Sequence, residues 1–218
     1  MIKDAKTIGV WGGRGSGKST RVKEMTAKNN RVIVIDPIGD YAASGFTSYK
    51  TFAGIYRAIK AGWKKGFRVV LDVSHSDNPE RELLKLSADL FLIQKPYYEG
   101  KDDRKVTLIV EEMSILSPNV TKAKDEQAFK KLNNLGRHYG VEIIGVSQRP
   151  AEVSPTFRGN CAEHYFFRLS DQIDFSNVAR IVGNKNVETI RALKTHEYLH
   201  FSMGQVSLGK NKAWAKTR

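Results

Sequence analysis

GGRGSGKS, at residues 12–19, fits the pattern G-x-x-x-x-G-K-[S/T] of a phosphate-binding loop. Its glycines adopt conformations that a Cβ atom forbids, so successive backbone N–H groups can turn inward around a polyphosphate. A helix that begins near Lys18 adds its unpaired N–H groups and the positive end of its dipole. The motif predicts that Lys18 reaches the β- and γ-phosphates and that the Ser19 hydroxyl binds Mg²⁺.

The residues on either side of this loop fit the motif. The apolar run TIGVW before it is typical of a short buried strand, and STRVKEM, which starts within it, is typical of a helix. Strand, glycine loop and helix is the order that the motif requires. The predicted nucleotide contacts are Gly12, Gly13, Arg14, Gly15, Ser16, Gly17, Lys18, Ser19 and Thr20.

Composition limits the class of protein. At 218 residues the chain is long enough for one α/β domain with a full core, and we expect a single domain over 1–218. No apolar run approaches the roughly 18 residues of a membrane span, and the N-terminus lacks the pattern of a signal peptide. The lone cysteine, Cys161, excludes an internal disulfide and a zinc cluster and favours a reducing cytoplasm.

The net charge of +13 predicts a large anionic partner, with nucleic acid the first choice. Basic stretches without Asp or Glu include 41–71 and the basic tail at about 204–218. A surface that only aids solubility usually mixes both signs of charge. Trp63 and Trp214 either stack on bases or are buried. The candidate DNA contacts are Arg57, Lys60, Lys64, Lys65, Arg68, Lys210 and Lys212.

Apolar runs alternate with amphipathic helical patterns along the chain. Strands are predicted at 7–11, 31–36, 67–73, 105–112, 141–148 and 164–169. Helices are predicted at 52–62, 78–95, 125–139, 171–181 and 184–192, with a mobile polar loop at 96–104. A C-terminal β-hairpin turns at Met203-Gly204. The pattern predicts an α/β P-loop NTPase fold, a mostly parallel central sheet with helices on both faces.

Two carboxylates follow the apolar run 106–110. A carboxylate at the carboxyl end of a buried strand beside a phosphate loop can hold Mg²⁺. A second one can polarise the water that attacks the γ-phosphate. We assign Glu111 to the metal and Glu112 to the base, but adjacent strand residues point to opposite faces, so the division of roles stays open.

Further polar residues have positions typical of catalytic partners. Gln148 ends the fifth predicted strand, where its amide contacts the γ-phosphate or its water, or serves only in a turn. Arg137 projects away from the apolar stripe of its helix, and is either an arginine finger for a neighbouring subunit or a solvated charge. Arg149 and Arg158 are rival candidates for the finger.

The segment NLGRHYGVEIIGVSQRP, residues 134–150, resembles the one that precedes and includes the sensor glutamine in the FtsK–HerA superfamily of DNA-pumping ATPases. Arg137 and Gln148 match its arginine finger and its glutamine, and the loop at 12–19 and the two glutamates match its nucleotide motifs. Asp36-Pro37 after the second strand is also similar. The resemblance covers about 7–168, and Glu111 departs from it because many relatives have Asp there.

The resemblance implies a mechanism. A short member with a basic tail is most similar to the genome-packaging ATPases of membrane-containing icosahedral double-stranded DNA viruses. It implies ATP and Mg²⁺ as cofactors, a ring of five or six subunits, and Arg137 acting across the subunit interface. Duplex DNA is held by its phosphates, so binding is non-specific and salt-sensitive. A capsid or portal protein is an implied partner, in the host cytoplasm or at the packaging vertex of the virion.

Three other functions stay open. One is a cytoplasmic DNA-pumping ATPase of conjugation, phage export or repair. Another is a small-molecule P-loop kinase, which leaves the +13 charge unexplained. The third is a nucleotide-controlled DNA-binding adaptor with negligible turnover, which leaves Glu112 without a role.

Overall fold

The computed structural model describes residues 5–39, 41, 45–118 and 127–212. Its strands are β1 (Thr7–Trp11), β2 (Arg31–Asp36), β3 (Thr47–Tyr49), β4 (Phe67–Asp72), β5 (Val106–Val110), β6 (Val141–Ser147), β7 (Glu163–Phe166), β8 (Glu197–Ser202) and β9 (Gln205–Lys210). Its α-helices are α1 (Lys18–Thr26), α2 (Phe52–Gly62), α3 (Pro79–Ile93), α4 (Lys95–Tyr98), α5 (Met113–Leu116), α6 (Gln127–Leu135), α7 (Pro155–Asn160), α8 (Gln172–Val182) and α9 (Val187–Ala192). Short 3₁₀ helices lie at Gly136–Tyr139, Pro150–Glu152 and Asn184–Asn186.

The described strands form one sheet in the order β3-β4-β2-β5-β6-β1-β7-β8-β9. Strands from β3 to β7 in this order pair in parallel, and β8 and β9 add an antiparallel hairpin. The hairpin turns at Met203 and Gly204, with φ of 50° and 76°. Positive φ at both positions is the geometry that a two-residue hairpin turn requires. The predicted α/β fold with its C-terminal hairpin is confirmed.

The core lies on both faces of the sheet because the central strands are apolar at successive positions. All residues of β5 and nearly all of β1, β2 and β6 are buried. Alternate side chains point to opposite faces and form two separate clusters. Helix α1 covers one face through Val22 and Met25, whereas α2, α3 and α5–α9 contribute to the other cluster. The two faces are therefore covered unequally.

Two glycines in the central strands make room for large rings. Gly9 of β1 pairs with Gly145 of β6. A Cβ atom would lie 2.3 Å from the Trp11 ring at Gly9 and 2.4 Å from the Phe157 ring at Gly145. The two rings meet edge to face with centroids 6.2 Å apart. This packing supports the end of β1, where the phosphate loop begins.

The structure differs from the sequence prediction in several elements, among them the unpredicted short helix α5. β3 was not predicted, because its sequence TSY has no apolar run and it pairs only at the outer side of β4. The loop expected to be mobile at 96–104 begins with α4, whose first turn contains Pro96, a favoured position for proline. The start of the helix predicted near Asp125 lies outside the described residues, and its described end is a 3₁₀ helix.

The parallel strands give the sheet two distinct edges. At the carboxyl edge, β5, β6 and β1 end side by side, followed by Glu111-Glu112, Gln148 and the loop at 12–19. At the amino edge, Arg137 precedes β6, and Lys64 and Lys65 precede β4. The predicted nucleotide residues and the predicted finger therefore lie at opposite edges.

Candidate nucleotide site

A cleft of about 790 Å³ opens at the carboxyl edge of the sheet. Because β5, β6 and β1 are neighbours, motifs separated by up to 130 residues or so in sequence meet in it. The cleft is lined by Arg14, Gly15, Lys18, Ser19, Lys23, Asp36, Ile38, Tyr41, Glu111, Glu112, Ile115, Val146 and Gln148. Gly13 and Ser16 line an adjoining cavity together with Arg14 and Gly15. Gly12 is buried, and Thr20 is half-buried in the first turn of α1.

The phosphate loop has the conformation that its glycines allow. Gly15 and Gly17 have φ of 70° and 111°, in the left-handed region that favours glycine. The loop leads directly into α1, so Lys18 is the first residue of that helix. The Lys18 Nζ atom donates to the carbonyl oxygens of Gly12 at 2.7 Å and of Gly13 at 3.1 Å.

Lys18 is a buried cation. Its side chain lies among the loop and the acid pair, and the residue is 9% exposed. Burial lowers the pKa of Lys18, and the nearby carboxylates of Glu112 and Glu111 oppose that change. A bound polyphosphate would add negative charge beside this ammonium group and favour its charged form.

Glu112 and Gln148 are in direct contact. Glu112 Oε2 accepts a hydrogen bond from Gln148 Nε2 at 3.1 Å, and its Oε1 accepts from Ser114 Oγ at 2.9 Å. The backbone N–H of Gln148 also donates to Glu112 Oε1, at 3.3 Å. Glu112 has φ of 39°, a left-handed conformation that is strained for a residue with a side chain. The turn after β5 thus aims this carboxylate at the end of β6.

Glu111 and Ser19 line the same cleft as Lys18. A carboxylate and a hydroxyl are the oxygen donors that Mg²⁺ prefers, so these two residues fit the ion. Asp36, which also lines the cleft, is used differently. Its carboxylate accepts backbone N–H bonds from Ile38 and Tyr41, both at 2.9 Å, and it thereby fixes the turn after β2.

Arg137 lies away from this cleft. It is exposed in the 3₁₀ helix at the amino edge, with its Nε 3.4 Å from His138 Nε2. It lines a separate cavity that also includes Lys6, Asn160 and Met203. Within one subunit, Arg137 and the phosphate loop are therefore at opposite edges of the sheet.

The two rival arginines are held by their own chain. Arg149 Nε donates to Oδ2 of the buried Asp174 at 2.8 Å, and its Nη2 lies 3.3 Å from Asp171. Arg158 Nη1 donates to Asn177 Oδ1 at 2.7 Å. Burial, with a smaller effect of a neighbouring arginine, lowers the pKa of Arg158.

The candidate DNA contacts fall into two separate groups. The first contains the exposed side chains of Arg57, Lys60, Lys64 and Lys65, on and just after α2. The second, Lys210 and Lys212, is exposed at the end of β9. Seven strand spacings, roughly 30 Å, separate β4 from β9. The rest of the basic tail, 213–218 with Trp214, lies outside the described residues.

Arg68 and Trp63 have partners inside the chain. Arg68 Nη1 donates to the carbonyl oxygens of Thr26 at 2.9 Å and Asn29 at 2.8 Å, which holds the end of α1 against β4. Trp63 is half-buried, and its Nε1 donates to Asp102 Oδ2 at 3.0 Å.

Two residues at the phosphate loop were not predicted from the sequence. The backbone N–H of His196 donates to the Ser16 carbonyl at 2.8 Å, and Asn211 Nδ2 donates to the Gly17 carbonyl at 2.8 Å. Both residues flank the C-terminal hairpin, and each is separated from the loop by roughly 180 residues or more of sequence. No local motif marks them, because only the pairing of β8 with β7 and β9 brings them to this edge.

No protein-family model matches the chain, and no curated protein matches its sequence. Its structure is similar to the genome-packaging NTPase B204 of Sulfolobus turreted icosahedral virus 2, with a TM-score of 0.69, 16% identity and coverage of 97% of this chain and 100% of that one. It is also similar to VirB4 of Thermoanaerobacter pseudethanolicus, with a TM-score of 0.65, 12% identity and coverage of 95% and 89%. It is similar as well to EssC of Geobacillus thermodenitrificans, with a TM-score of 0.60, 12% identity and coverage of 94% of this chain and 39% of that one.

These likenesses confirm the fold that the resemblance to the FtsK–HerA superfamily implied. Among the described residues, no helix is long and apolar enough to cross a membrane.

Proposed function

We propose that this protein is an ATP-driven translocase of double-stranded DNA, and that it packages a viral genome. The observation that carries the proposal is the single cleft in which Lys18, Ser19, Glu111, Glu112 and Gln148 meet. The B204 NTPase, whose fold this chain shares, is a DNA-packaging ATPase with structures that hold AMPPCP or ATP-gammaS.

The residues of the cleft support hydrolysis of ATP to ADP and phosphate. The loop amides and Lys18 bind the β- and γ-phosphates, and Lys18 then exchanges the carbonyls of Gly12 and Gly13 for phosphate oxygens. Glu112 accepts a proton from water as the water oxygen bonds to the γ-phosphorus and the bond to the β–γ bridging oxygen breaks. Ser19 and Glu111 would hold Mg²⁺, which neutralises phosphate charge when bound.

Gln148 supports a link between this reaction and the rest of the chain. Its amide binds Glu112 while Arg149, the next residue, is paired with the buried Asp174 of α8. Loss of the γ-phosphate changes the charge that Glu112 and Gln148 face. A movement of Gln148 then displaces Arg149, the next residue, and through its ion pair with Asp174 it displaces α8.

The exposed position of Arg137, away from the cleft that contains Lys18, supports a role at a subunit interface. The resemblance to the DNA-pumping ATPases implies a ring of five or six subunits, in which Arg137 can face the γ-phosphate bound to a neighbour. Such an arginine stabilises the charge that develops in the transition state. Arg149 and Arg158 are less suited to this role because each is bonded within its own subunit.

The exposed cations support a duplex DNA partner held by its phosphates. Arg57, Lys60, Lys64 and Lys65 form a patch with no acidic residue in the surrounding sequence. Lys210 and Lys212 form the second candidate contact. A capsid or portal protein would anchor the ring in the host cytoplasm or at the packaging vertex.

One assay tests the function against its rivals. ATP hydrolysis is measured with and without double-stranded DNA in the native protein and in Lys18→Ala. We expect DNA-stimulated hydrolysis in the native protein and a loss on the order of 10²–10³-fold in the variant, since one phosphate-binding cation is removed. Transfer of phosphate to a small molecule without regard to DNA would point to a kinase. Tight DNA binding with no turnover would point to an adaptor.

A further inference from the structure

Residues at the two ends of the C-terminal hairpin donate hydrogen bonds to the backbone of the phosphate loop. The carbonyls of Gly12 and Gly13 accept from Lys18, and the carbonyl of Gly17 accepts the first helical bond of α1, from the Arg21 N–H at 3.0 Å. The C-terminal segment supplies further donors to the loop. His196 N–H serves the Ser16 carbonyl and Asn211 Nδ2 serves the Gly17 carbonyl, each at 2.8 Å. The two donors are joined to each other, because Asn211 N–H donates to the His196 carbonyl at 2.9 Å.

The contact is close enough to restrict the loop. A Cβ atom at Gly17 would lie 2.7 Å from His196 Nδ1 and 2.8 Å from Asn211 Nδ2, so the loop backbone rests directly on these side chains. His196 has φ of 68°, a strained conformation for a residue with a side chain. The backbone just before Lys18 therefore has little room to move toward either residue.

Asn211 is a buried polar residue beside the phosphate loop. It is 3% exposed, and its Oδ1 atom is buried and accepts no hydrogen bond from the described residues. Its Nδ2 atom makes the bond to the Gly17 carbonyl, so the side-chain amide of Asn211 is fixed against the loop.

The neighbours of Asn211 in sequence are cations on the surface. Lys210 and Lys212 are both exposed, and Lys210 Nζ is 3.8 Å from Oε1 of Glu197, its direct cross-strand partner in the β8–β9 pair. A phosphate backbone bound by these two lysines would hold the segment 210–212 in place from both sides of Asn211.

We propose that Asn211 is a positioning residue that couples DNA bound at Lys210 and Lys212 to the shape of the phosphate loop. The inference rests on the proposed function for its two ligands. Restraint of Asn211 fixes the second bond to the Gly17 carbonyl, beside the helical bond from Arg21, so DNA stiffens the loop and tightens nucleotide binding. Thermodynamic linkage requires that nucleotide tighten DNA binding by the same factor.

The test is the dissociation constant of MgATP-gammaS, measured by calorimetry with and without saturating duplex DNA. The variants are Asn211→Ala, and Asn211→Asp, which keeps the shape but, when ionised, can only accept hydrogen bonds. The matched control is Asn186→Ala, since Asn186 Nδ2 also donates to a backbone carbonyl, that of Val182, but away from the loop. In hydrolysis assays the same variants give KM and kcat separately.

In the native protein we expect DNA to lower the dissociation constant about tenfold, within the usual range for coupled sites. Both Asn211 variants should raise KM several-fold, retain most of kcat, and bind nucleotide equally with and without DNA. Asn186→Ala should behave as the native protein. A general loss of stability would not separate KM from kcat in this way.

Two outcomes would overturn the inference while leaving the proposed function in place. One is native DNA-stimulated hydrolysis together with an unchanged KM and DNA response in Asn211→Ala. The other comes from amide hydrogen exchange in the native protein, a measurement that needs no variant. We expect bound DNA to slow exchange of the backbone amides of 12–19. An exchange rate that DNA leaves unchanged would contradict the coupling. A native protein that binds no MgATP-gammaS overturns both the inference and the proposed function.

Discussion

In the carboxyl-edge cleft, Lys18, Glu112 and Gln148 are bonded within their own chain, whereas Arg137, Lys64 and Lys65 at the amino edge are exposed. At the carboxyl edge, Lys18 is bonded to two loop carbonyls and Glu112 to Gln148 and Ser114. At the amino edge, Arg137 contacts a neighbouring histidine and otherwise projects from the surface.

The contrast separates contacts that form within one chain from contacts that the proposed assembly would add. Buried polar groups must be satisfied inside the chain, so the carboxyl edge is formed on folding. Exposed cations need no internal partner, so they are available to DNA or to a second subunit under the proposed function. Variants at the two edges test this division, from the largest expected effect to the smallest.

Replacement of Arg137 tests the amino edge most severely. In Arg137→Ala, we expect ATP hydrolysis to fall by roughly 10³–10⁵-fold, because the finger's charge is lost from the transition state. Mixing it with inactive Lys18→Ala subunits should restore activity, since each variant supplies what the other lacks. Lys130→Ala, which removes an exposed cation from α6, is the control and should be active. Mixed rings that assemble but stay inactive would remove the case for action across the interface.

Replacement of Glu112 tests the carboxyl edge. Glu112→Gln should reduce hydrolysis by roughly 10²–10⁴-fold, the usual contribution of a general base, and leave nucleotide binding intact. Single-turnover hydrolysis and analogue binding, measured together, separate the two effects. Glu188→Gln, at an exposed glutamate of α9, should match the native protein. Near-native turnover in Glu112→Gln would transfer the role of base to Glu111.

Arg68 tests where the candidate DNA patch ends. Because its guanidinium bonds to two backbone carbonyls, Arg68→Ala should lower the free energy of unfolding by roughly 1.5–3 kcal/mol. Its DNA affinity should be unchanged when measured on the folded fraction. Denaturant titration and DNA binding at one salt concentration measure both. A large loss of DNA affinity, with a free energy of unfolding equal to that of the native protein, would show that Arg68 contacts DNA.

Lys64 and Lys65 should have the smallest effect. Each exposed lysine that contacts a phosphate releases roughly 0.9 of a counterion, so the double Lys64→Ala, Lys65→Ala variant should reduce the slope of log K against log salt by about 2. Stability should change little. A salt slope identical to that of the native protein would exclude both lysines from the DNA contact.

The carboxyl edge was more predictable than the amino edge for a physical reason. The spacing of 12–19 and the buried strands before Glu111 and Gln148 constrain the backbone locally, so these residues were placed in one cleft by pattern alone. The contact between Glu112 and Gln148 could not be predicted, because it depends on a left-handed turn at Glu112.

Contacts that depend on distant pairing were missed. Asn211 reaches Gly17 only through the register of β8 and β9, and Arg68 reaches Thr26 only because β4 lies beside β2. The sequence marked Arg68 as one cation among several, since charge alone does not distinguish a half-buried arginine that bonds to its own backbone from an exposed one.

The central claim is that hydrolysis in the carboxyl-edge cleft moves duplex DNA. Displacement of a third strand from a triplex segment of a long linear duplex measures that movement directly. We predict displacement that requires ATP, is absent with ATP-gammaS, and is lost in Lys18→Ala. DNA-stimulated hydrolysis by an assembled ring that never displaces the third strand would contradict the claim.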